Sequence, residues 1–238
     1  MIDIHSHILP FVDDGSASLE DSLKLLKIQE KAGVDKIFLT PHRKANKYSC
    51  PSNVVIEEFE KFSTIAKKNG YKGELYLGRE IFYDENTLDL LDSSEFITMN
   101  GTKCVLIEFS SFTSTNIQDC VFNIVKKGFI PIIAHVERYV YLDWHDLFDL
   151  RCLGALIQIN SSCIIGQMGS KIKEQVMSAI SEGLIDFVAS DLHFGRKTYM
   201  KKAYNVIKSK IGKVVAEDLF VNNAMDFLIN KNNPLQKA

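Results

Sequence analysis

Residues 104–109 read CVLIEF, an almost unbroken apolar run in which Glu108 is the one charged residue. Such a run is typical of a strand buried on both faces, as in a parallel sheet covered by helices. The same pattern recurs as IPIIAH at 130–135 and ALIQIN at 155–160. Seven strands are predicted in this way: Ile2–His5, Lys36–Thr40, Glu74–Gly78, Cys104–Phe109, Ile130–His135, Ala155–Asn160 and Asp186–Ser190.

Helical patterns separate these strands. In residues 18–33, SLEDSLKLLKIQEKAG, Ser18 is a candidate N-cap and Gly33 a stop signal. Four later helical patterns also end on glycine, at Gly70, Gly128, Gly154 and Gly183, and two more helices are predicted over Lys197–Lys210 and Lys213–Lys231. Strands and helices that alternate in this order predict either a barrel or a doubly wound open sheet.

Polar residues at the strand ends decide between these two folds. Candidate ligands lie at or just past the carboxyl end of six of the seven predicted strands: His5, His7, His42, Glu80, Glu108, His135, Asp191 and His193. An open sheet would spread these ends along a line, whereas a barrel brings them to one mouth. We therefore predict an α/β fold, a (β/α)7 TIM-like barrel with its site at the C-terminal ends of the strands.

The histidines predict metal binding. The chain has six histidines, five of them fall at these strand ends, and only His145 is left over. In an extended His-x-His segment, His5 and His7 point to the same side, about 6.6–6.8 Å apart along the strand. Asp14 adds an oxygen ligand, whereas its neighbour Asp13 is interpreted as an ordinary loop or helix-start residue.

Together with Asp14, the strand-end residues make nine candidate ligands, which is too many for one ion. Two or three divalent metal ions are therefore predicted. Nitrogen and oxygen ligands without a thiolate suit Mn, Fe or Zn rather than a structural cysteine-rich zinc site. Adjacent ions would share a carboxylate and a hydroxide, and such a hydroxide is a nucleophile at neutral pH.

Two arginines flank the predicted ligands, Arg138 in HVERY and Arg196 in DLHFGR. Each guanidinium could place two donors on a phosphate group. For either arginine alone, a surface ion pair is an equally good interpretation. Both of them beside a multinuclear metal site favour hydrolysis of a phosphate ester. The chain has no Cys-x5-Arg, no G-x-S-x-G and no P-loop, so a covalent tyrosine phosphatase mechanism is not expected.

Composition excludes several other classes. The 238 residues are 46% hydrophobic and carry a net charge of −2, which gives no sign of nucleic-acid binding. No apolar run is long enough for a membrane span, so no membrane insertion is expected. The N-terminus lacks a secretory pattern, and five cysteines without a C-x-x-C pair suggest reduced thiols. A cytoplasmic protein is therefore expected.

The motifs MIDIHSHILP-x-x-DDG, TPH, G-x-E-I, LIEF, IAH-x-ERY and ASD-x-H occur in this order. Together they resemble the PHP (polymerase and histidinol phosphatase) superfamily, and within it the bacterial tyrosine phosphatases of capsule and exopolysaccharide operons. The resemblance implies a distorted barrel and a single phosphatase domain over residues 1–238. In that domain the C-terminal helices start at about residue 197 and a short tail at about residue 231.

The resemblance also implies three metal sites. The first is held by His5, His7, Glu80 and Asp191; the second by Glu80, Glu108 and His135; the third by Asp14, His42 and His193. Family members are described as manganese-dependent and cytoplasmic, and they dephosphorylate the tyrosine-rich tail of a membrane-associated kinase that controls polysaccharide assembly. Arg138 and Arg196 match the catalytic, phosphate-binding arginines, and Tyr48 or Tyr139 is predicted to contact the phosphotyrosine ring.

Three alternatives remain at this stage. A small-molecule phosphatase of the histidinol phosphatase type would use the same chemistry. An amidohydrolase also carries His-x-His on a barrel, but it usually has a bridging lysine on the fourth strand, where this chain has Glu108. A metal-bound scaffold would bind a kinase without catalysis. The oligomeric state is left open, and Phe11 and Val136 depart from the family's usual glycine and proline.

Overall fold

Nine parallel strands form the centre of the protein in the computed structural model, which describes residues 1–45, 47–93 and 96–230. The strands are β1 (Ile2–Asp3), β2 (Lys36–Leu39), β3 (His42–Arg43), β4 (Glu74–Leu77), β5 (Glu80–Phe82), β6 (Cys104–Glu108), β7 (Ile130–Ile133), β8 (Leu156–Asn160) and β9 (Phe187–Ala189). They form two hydrogen-bonded sheets in the orders β1-β2-β4 and β3-β5-β6-β7-β8-β9.

The two sheets are parts of one curled sheet with seven positions, which we call staves; each stave is one strand or two consecutive strands in line. Lys36 pairs with Glu74 in the first sheet and His42 pairs with Glu80 in the second, with the same sequence offset. Strands β2 and β3 are therefore one interrupted stave, and β4 and β5 are another. The first and last staves meet at their carboxyl ends, where Asp191 N donates to His5 O at 2.9 Å. The predicted (β/α)7 TIM-like fold is confirmed.

The helices lie between the strands in chain order. They are α1 (Leu19–Lys31), α2 (Ser52–Lys68), α3 (Thr87–Asp92), α4 (Ile117–Lys126), α5 (Asp146–Cys152), α6 (Ser161–Ile164), α7 (Ser170–Ser181), α8 (Met200–Lys210) and α9 (Lys213–Glu217). Ser18 caps α1 as predicted, because its side chain accepts from Asp21 N. The five predicted glycine stops all take positive φ, from +72° to +101°.

Some boundaries differ from the prediction. The helix predicted from Lys213 is α-helical only to Glu217 and continues as two π-helical segments, Asp218–Asn222 and Met225–Ile229. Its predicted last residue and the tail from about residue 231 lie outside the described residues. Helices α3 and α6 were not predicted. No helix within the described ranges is long and apolar enough to span a bilayer.

Strand alternation divides the core into two apolar layers. Phe38, Leu106 and Ile132 belong to a cluster that fills the barrel interior and includes Met99 and Leu228. Residues next to these in sequence, such as Ile37, Val105 and Ile133, belong to the larger cluster between the strands and the helices. Because the interior is packed with apolar side chains, polar groups can converge only above it, at the carboxyl ends of the strands.

A buried carboxylate ties α1 to the junction of the first and last staves. Asp3 is fully buried, and its oxygens accept from Gln29 Nε2, from Ser190 Oγ and, at 2.9 Å, from Ser190 N. Burial raises the pKa of Asp3 to about 6, against the lowering effect of these hydrogen bonds. The bonds connect residues that are far apart in sequence at the point where the barrel closes.

We expect Asp3→Ala to destabilise the protein, because it removes the carboxylate that accepts from Gln29 Nε2, Ser190 Oγ and Ser190 N. A buried donor left without a partner costs about 1–3 kcal/mol. The free energy of unfolding from urea titration, at unchanged m-value, measures this loss. Asp35→Ala is the matched control: it removes an exposed carboxylate paired with the N-terminal amine, for an expected loss under about 1 kcal/mol. Equal losses in the two variants would contradict the role given to Asp3.

Candidate metal centre

Glu80 lies in the middle of the predicted ligands. It begins β5 at the barrel mouth and is fully buried. Its Oε2 atom lies 3.2 Å from His5 Nε2, 3.2 Å from His7 Nε2 and 2.8 Å from His42 Nδ1, and its Oε1 atom lies 2.9 Å from His135 Nε2. One carboxylate thus contacts four imidazoles from three different segments of the chain.

The remaining four predicted ligands surround this core. Oxygens of Glu108 lie 3.8 Å from His135 Nε2 and 3.9 Å from His42 Nδ1. Asp191 Oδ1 is 3.5 Å from His7 Nε2. Asp14 Oδ1 is 3.6 Å from His42 Nε2 and 3.7 Å from His193 Nε2. The fold therefore brings all nine side chains together; that each one binds metal stays a prediction.

Within the described residues, three groups have ligand atoms that all lie within 4.8 Å of one another. They are His5, His7 and Glu80; His42, Glu80 and Glu108; and His7, Asp14, His42 and His193. These groups correspond to the three sites implied by the resemblance, with differences at their borders. Asp191 is not in the first group, His42 takes the place of His135 in the second, and His7 joins the third.

The donor set fits a divalent cation. His5 Nδ1 lies 3.1 Å from Gln158 Oε1, and His7 Nδ1 lies 2.7 Å from Asp13 Oδ2. In the neutral rings, a proton on the nitrogen that faces an oxygen acceptor leaves both Nε2 atoms unprotonated. Burial opposes a second proton, yet Glu80 raises the pKa of His5, and Asp13 raises the pKa of His7 well above its usual range. These two Nε2 atoms are 3.1 Å apart and share Glu80 Oε2, which has no hydrogen-bond donor. These three atoms therefore need a positive charge among them, either a proton or a metal ion, and their convergence with further imidazoles and carboxylates fits a metal ion.

The two central carboxylates have opposite electrostatic environments. Burial by itself would raise the pKa of Glu80, but the His5 and His42 imidazoles bring it well below its usual range. Burial, together with the neighbouring Glu80 charge, raises the pKa of Glu108 to about 6. Two carboxylates held close together in a buried site repel each other, and a cation bound between them would stabilise their ionised forms.

The imidazoles of His135 and His193 are in the form that binds metal. Burial and the nearby Arg138 guanidinium lower the pKa of His135 to about 4. Burial and the adjacent His7 ring lower the pKa of His193 to about 4. At neutral pH both rings are therefore uncharged and keep a lone pair for a ligand bond.

Two predicted ligands have an unusual backbone. His135 has φ +33° and Asp191 has φ +50°, a left-handed region that residues other than glycine rarely adopt. Strand β7 consequently ends at Ile133, two residues before the predicted end at His135. Backbone strain of this kind persists where surrounding contacts hold it, and it concentrates at functional sites.

Both predicted catalytic arginines reach the outer edge of the centre. Arg138 Nη2 contacts Asp191 Oδ2, and Arg196 Nη1 lies 3.6 Å from the same oxygen. The other oxygen of Asp191 faces His7 Nε2. The Arg196 side chain is 54% exposed, so it lies at the open side of the mouth. The two guanidinium groups thus converge on one point above the imidazoles.

A family model described as capsular polysaccharide synthesis, CpsB/CapC, matches residues 1–229. The chain belongs to the CpsB/CapC family. It is 35% identical over 240 residues to the tyrosine-protein phosphatase CpsB of Streptococcus agalactiae, a match covering 97% of this chain and 99% of that one. It is 31% identical over 218 residues to the tyrosine-protein phosphatase YwqE of Bacillus subtilis, covering 89% and 85% of the two chains.

The fold agrees with that family. A crystal structure from a study of YwqE from Bacillus subtilis and CpsB from Streptococcus pneumoniae, described as unique metal-dependent tyrosine phosphatases, matches with a TM-score of 0.88. The identity is 29%, and the match covers 97% of this chain and 95% of that one. The resemblance to capsule-type tyrosine phosphatases, which the sequence motifs predicted, is confirmed.

One prediction needs correction in this CpsB/CapC chain. Tyr139 is only 3% exposed, and its hydroxyl donates to Ala134 O at 2.8 Å and accepts from Phe109 N at 3.0 Å. Both hydrogen-bonding functions are used, and no face of the ring is open to a substrate. Tyr139 therefore braces the turn after β7 and does not contact the phosphotyrosine ring.

Tyr48 lies where a substrate contact is possible. Its ring is stacked on His42, with centroids 5.5 Å apart and planes 12° apart. The side chain is half-buried, and Lys47 Nζ lies 4.6 Å from the ring centroid. A contact between Tyr48 and the ring of a substrate stays a prediction.

Sequence reasoning missed the residues that hold the ligands of this CpsB/CapC site. Asp13 accepts from His7 Nδ1, from His42 N at 2.8 Å and from Gly15 N at 2.9 Å. Burial opposes its ionisation, yet the His7 imidazole lowers the pKa of Asp13 to about 2. Asp13 therefore fixes the ring orientation of His7. The only sequence signal was its place beside Asp14, which equally fits a loop.

Gln158 and Asn160 support the opposite side. Gln158 Oε1 also accepts from His135 N at 3.0 Å, and Gln158 Nε2 donates to Asn160 Oδ1 at 2.9 Å. Asn160 Nδ2 in turn donates to Asp191 Oδ2 at 3.2 Å. This buried chain connects three predicted ligands from below. The sequence feature that could have indicated these residues is the pair of side-chain amides, two residues apart, at the end of an otherwise apolar strand.

We expect Asp13→Asn to weaken metal binding about 10- to 100-fold, because it removes the charge that orients His7. Manganese titration by calorimetry, together with the metal content of the purified protein, measures the change. His145→Ala is the control, since His145 is exposed and lies outside the three ligand groups. Unaltered affinity in the Asp13 variant would show that His7 is held by other contacts.

Proposed function

We propose that this chain is a metal-dependent phosphomonoesterase that hydrolyses phosphotyrosine in proteins. One observation carries the proposal: Arg138 and Arg196 both reach Asp191 Oδ2, whose partner oxygen faces the imidazole cluster. Two guanidiniums beside a cation site provide donors for the non-bridging oxygens of a phosphate ester. The names of the 31–35% identical relatives support phosphotyrosine as the substrate class.

We propose the nine converging residues as the metal ligands: His5, His7, Asp14, His42, Glu80, Glu108, His135, Asp191 and His193. When bound, divalent ions, with manganese our first choice, supply the nucleophile and the Lewis acidity that phosphate ester hydrolysis needs. Glu80, in contact with four imidazoles, is placed to bridge two sites. Asp13 and Gln158 keep the imidazoles of His7 and His5 in the ligand tautomer.

The arginines have separate tasks in this proposal. Arg138 is largely buried and held against Asp191, so it is fixed before the substrate arrives. Arg196 is exposed and follows Gly195, which has φ +83°. Arg196 therefore has room to adjust when a phosphate group enters. Tyr48, stacked on His42 at the rim, would lie against the substrate ring.

We further propose that residues 1–238 form one phosphatase domain that acts in the cytoplasm. The substrate proposed is the tyrosine-rich tail of a membrane-associated kinase that controls capsule or exopolysaccharide synthesis. The family description supports the polysaccharide context. The cytoplasmic location rests on the sequence, which has five cysteines without a C-x-x-C pair.

We expect purified, manganese-loaded protein to hydrolyse p-nitrophenyl phosphate and a phosphotyrosine peptide, with loss of activity in EDTA and recovery on adding Mn. Arg196→Gln should lower kcat/KM for the peptide about 100-fold or more with unchanged metal content, since it removes a donor to the phosphate. Lys197→Gln, a neighbouring exposed cation, is the control.

Two outcomes would contradict the proposal. Faster turnover of histidinol phosphate than of the phosphopeptide would indicate a small-molecule phosphatase. Full metal occupancy without turnover of any phosphate ester would indicate a scaffold that binds its partner without catalysis.

A further inference from the structure

A second cationic site lies on the outer side of the barrel wall from the metal centre. On β3, His42 faces the metal centre, and the next residue, Arg43, points to the opposite side because successive strand residues alternate. On the neighbouring stave, Glu80 faces the centre and the preceding residue, Arg79, points outward. Arg43 and Arg79 both line one surface pocket of about 480 Å³.

Arg79 is an unusual buried cation. It is 1% exposed, and its Nη2 donates to Cys50 O at 2.6 Å and to His42 O at 3.5 Å. Its Nε has no hydrogen-bond partner. Among the described residues no carboxylate lies within ion-pairing distance of this guanidinium. Buried charges are normally paired, because an isolated one is costly to remove from water.

The surrounding charges leave this cation without a counterion. The charge of Asp13 acts on Arg79, but the oxygens of Asp13 are occupied by His7 and by two backbone amides. Glu58 lies one turn and a half along α2 and pairs with Lys61 at 2.7 Å. Arg43 adds a second guanidinium and lowers the pKa of Arg79 further, after burial, to about 10.

The first turn of α2 completes the pocket. Helix α2 has 17 residues, begins at Ser52 and has at its N-cap Pro51, whose side chain makes no capping hydrogen bond. No acidic residue lies in this first turn. Ser49 and Asn53 also line the pocket and bring further polar groups. A helix N-terminus carries a partial positive charge and favours anions.

We propose that Arg43, Arg79 and the first turn of α2 form a second anion site that binds a phosphate-type dianion. The source is either a second phosphorylated residue of the peptide whose phosphotyrosine lies at the metal centre, or free phosphate. The peptide source rests on the proposed function; the site itself does not. Two guanidiniums with fork geometry, helix amides and hydroxyls are the donors that tetrahedral oxyanions take in proteins.

The distance between the two sites suits one extended peptide. The two sites lie on opposite faces of one strand wall, a separation on the order of 10 Å, the spacing at which layers pack. An extended chain covers this in about three residues at roughly 3.3–3.6 Å each. The path crosses the rim formed by Tyr48, which is stacked on His42. A second phosphate a few residues from the hydrolysed one would therefore reach the pocket.

The test uses full-length, metal-loaded protein and peptides in which phosphotyrosine is replaced by a non-hydrolysable phosphonate analogue. Calorimetry compares peptides with one phosphonate and with two, separated by one to five residues. We expect one spacing to bind at least about tenfold tighter than the single phosphonate, equivalent to about 1.4 kcal/mol. Arg43→Gln should abolish this gain. Lys68→Gln, which removes a charge at the exposed far end of the same helix, should preserve it.

A second arm identifies free phosphate as the ligand. Protein saturated with the single phosphonate peptide is titrated with inorganic phosphate, and binding that disappears in Arg43→Gln assigns the pocket to free phosphate. Arg79→Lys, checked for folding by circular dichroism, should weaken either ligand because an ammonium lacks the fork. Both arms measure binding and do not depend on turnover. The proposed catalytic function is tested separately, by hydrolysis of a singly phosphorylated peptide by the wild-type protein.

Two results would overturn the proposal. One is a gain from the second phosphonate that survives in Arg43→Gln, which would place its contact elsewhere. The other is no gain at any spacing together with no phosphate binding, which would leave Arg79 as a structural clamp on the carbonyl of Cys50.

Discussion

The contact of Glu80 with four imidazoles is the constraint on which the rest of the structure depends. The carboxylate is fully buried, and one of its oxygens has no hydrogen-bond donor. A carboxylate in that state is unfavourable in the apolar interior of a barrel unless positive charge faces it. The imidazoles that surround it come from the staves of β1, β3 and β7, so the barrel must close before the group exists. Folding and assembly of the centre are therefore one event.

Around that carboxylate, a layer of buried polar contacts fixes direction. Asp13 holds one imidazole, and the connected amides of Gln158 and Asn160 hold another imidazole and a carboxylate. Asp13 and Gln158 contact the Nδ1 atoms of His7 and His5, which leaves the Nε2 atoms facing the centre. Their effect is to keep ligand lone pairs aimed at one small volume, which lowers the reorganisation needed for cation binding.

Much of the site could be predicted from the sequence because ligands of a barrel fall at strand ends, and strand ends can be recognised from apolar runs. His135 at the end of IPIIAH and Glu108 in VLIEF are examples. The supporting residues could not be found in this way. Gln158 lies inside a strand that was correctly predicted. Its partner His5 lies 153 residues away in sequence, and only the folded barrel brings the two together.

Tyr139 shows the opposite case, a residue that was predicted to contact the substrate but is buried by the fold. It was predicted, as an alternative to Tyr48, to contact the phosphotyrosine ring, yet its side chain is buried after the left-handed turn at His135. Local sequence does not encode that turn, because left-handed histidine is stabilised by tertiary contacts alone. The continuation of two staves as β3 and β5 was missed for a related reason: the apolar pattern stops at Thr40 and Gly78, whereas the register between the staves continues beyond these residues.

The alternation on β3 and β5 has an evolutionary consequence. His42 and Arg43 are adjacent and face opposite sides of one wall, as do Glu80 and Arg79. A single-residue insertion or deletion just upstream would exchange the two side chains and turn a guanidinium toward the imidazole cluster. We therefore expect insertions and deletions just upstream of β3 and β5 to contain an even number of residues. An odd number would turn the wrong side chain toward the imidazole cluster.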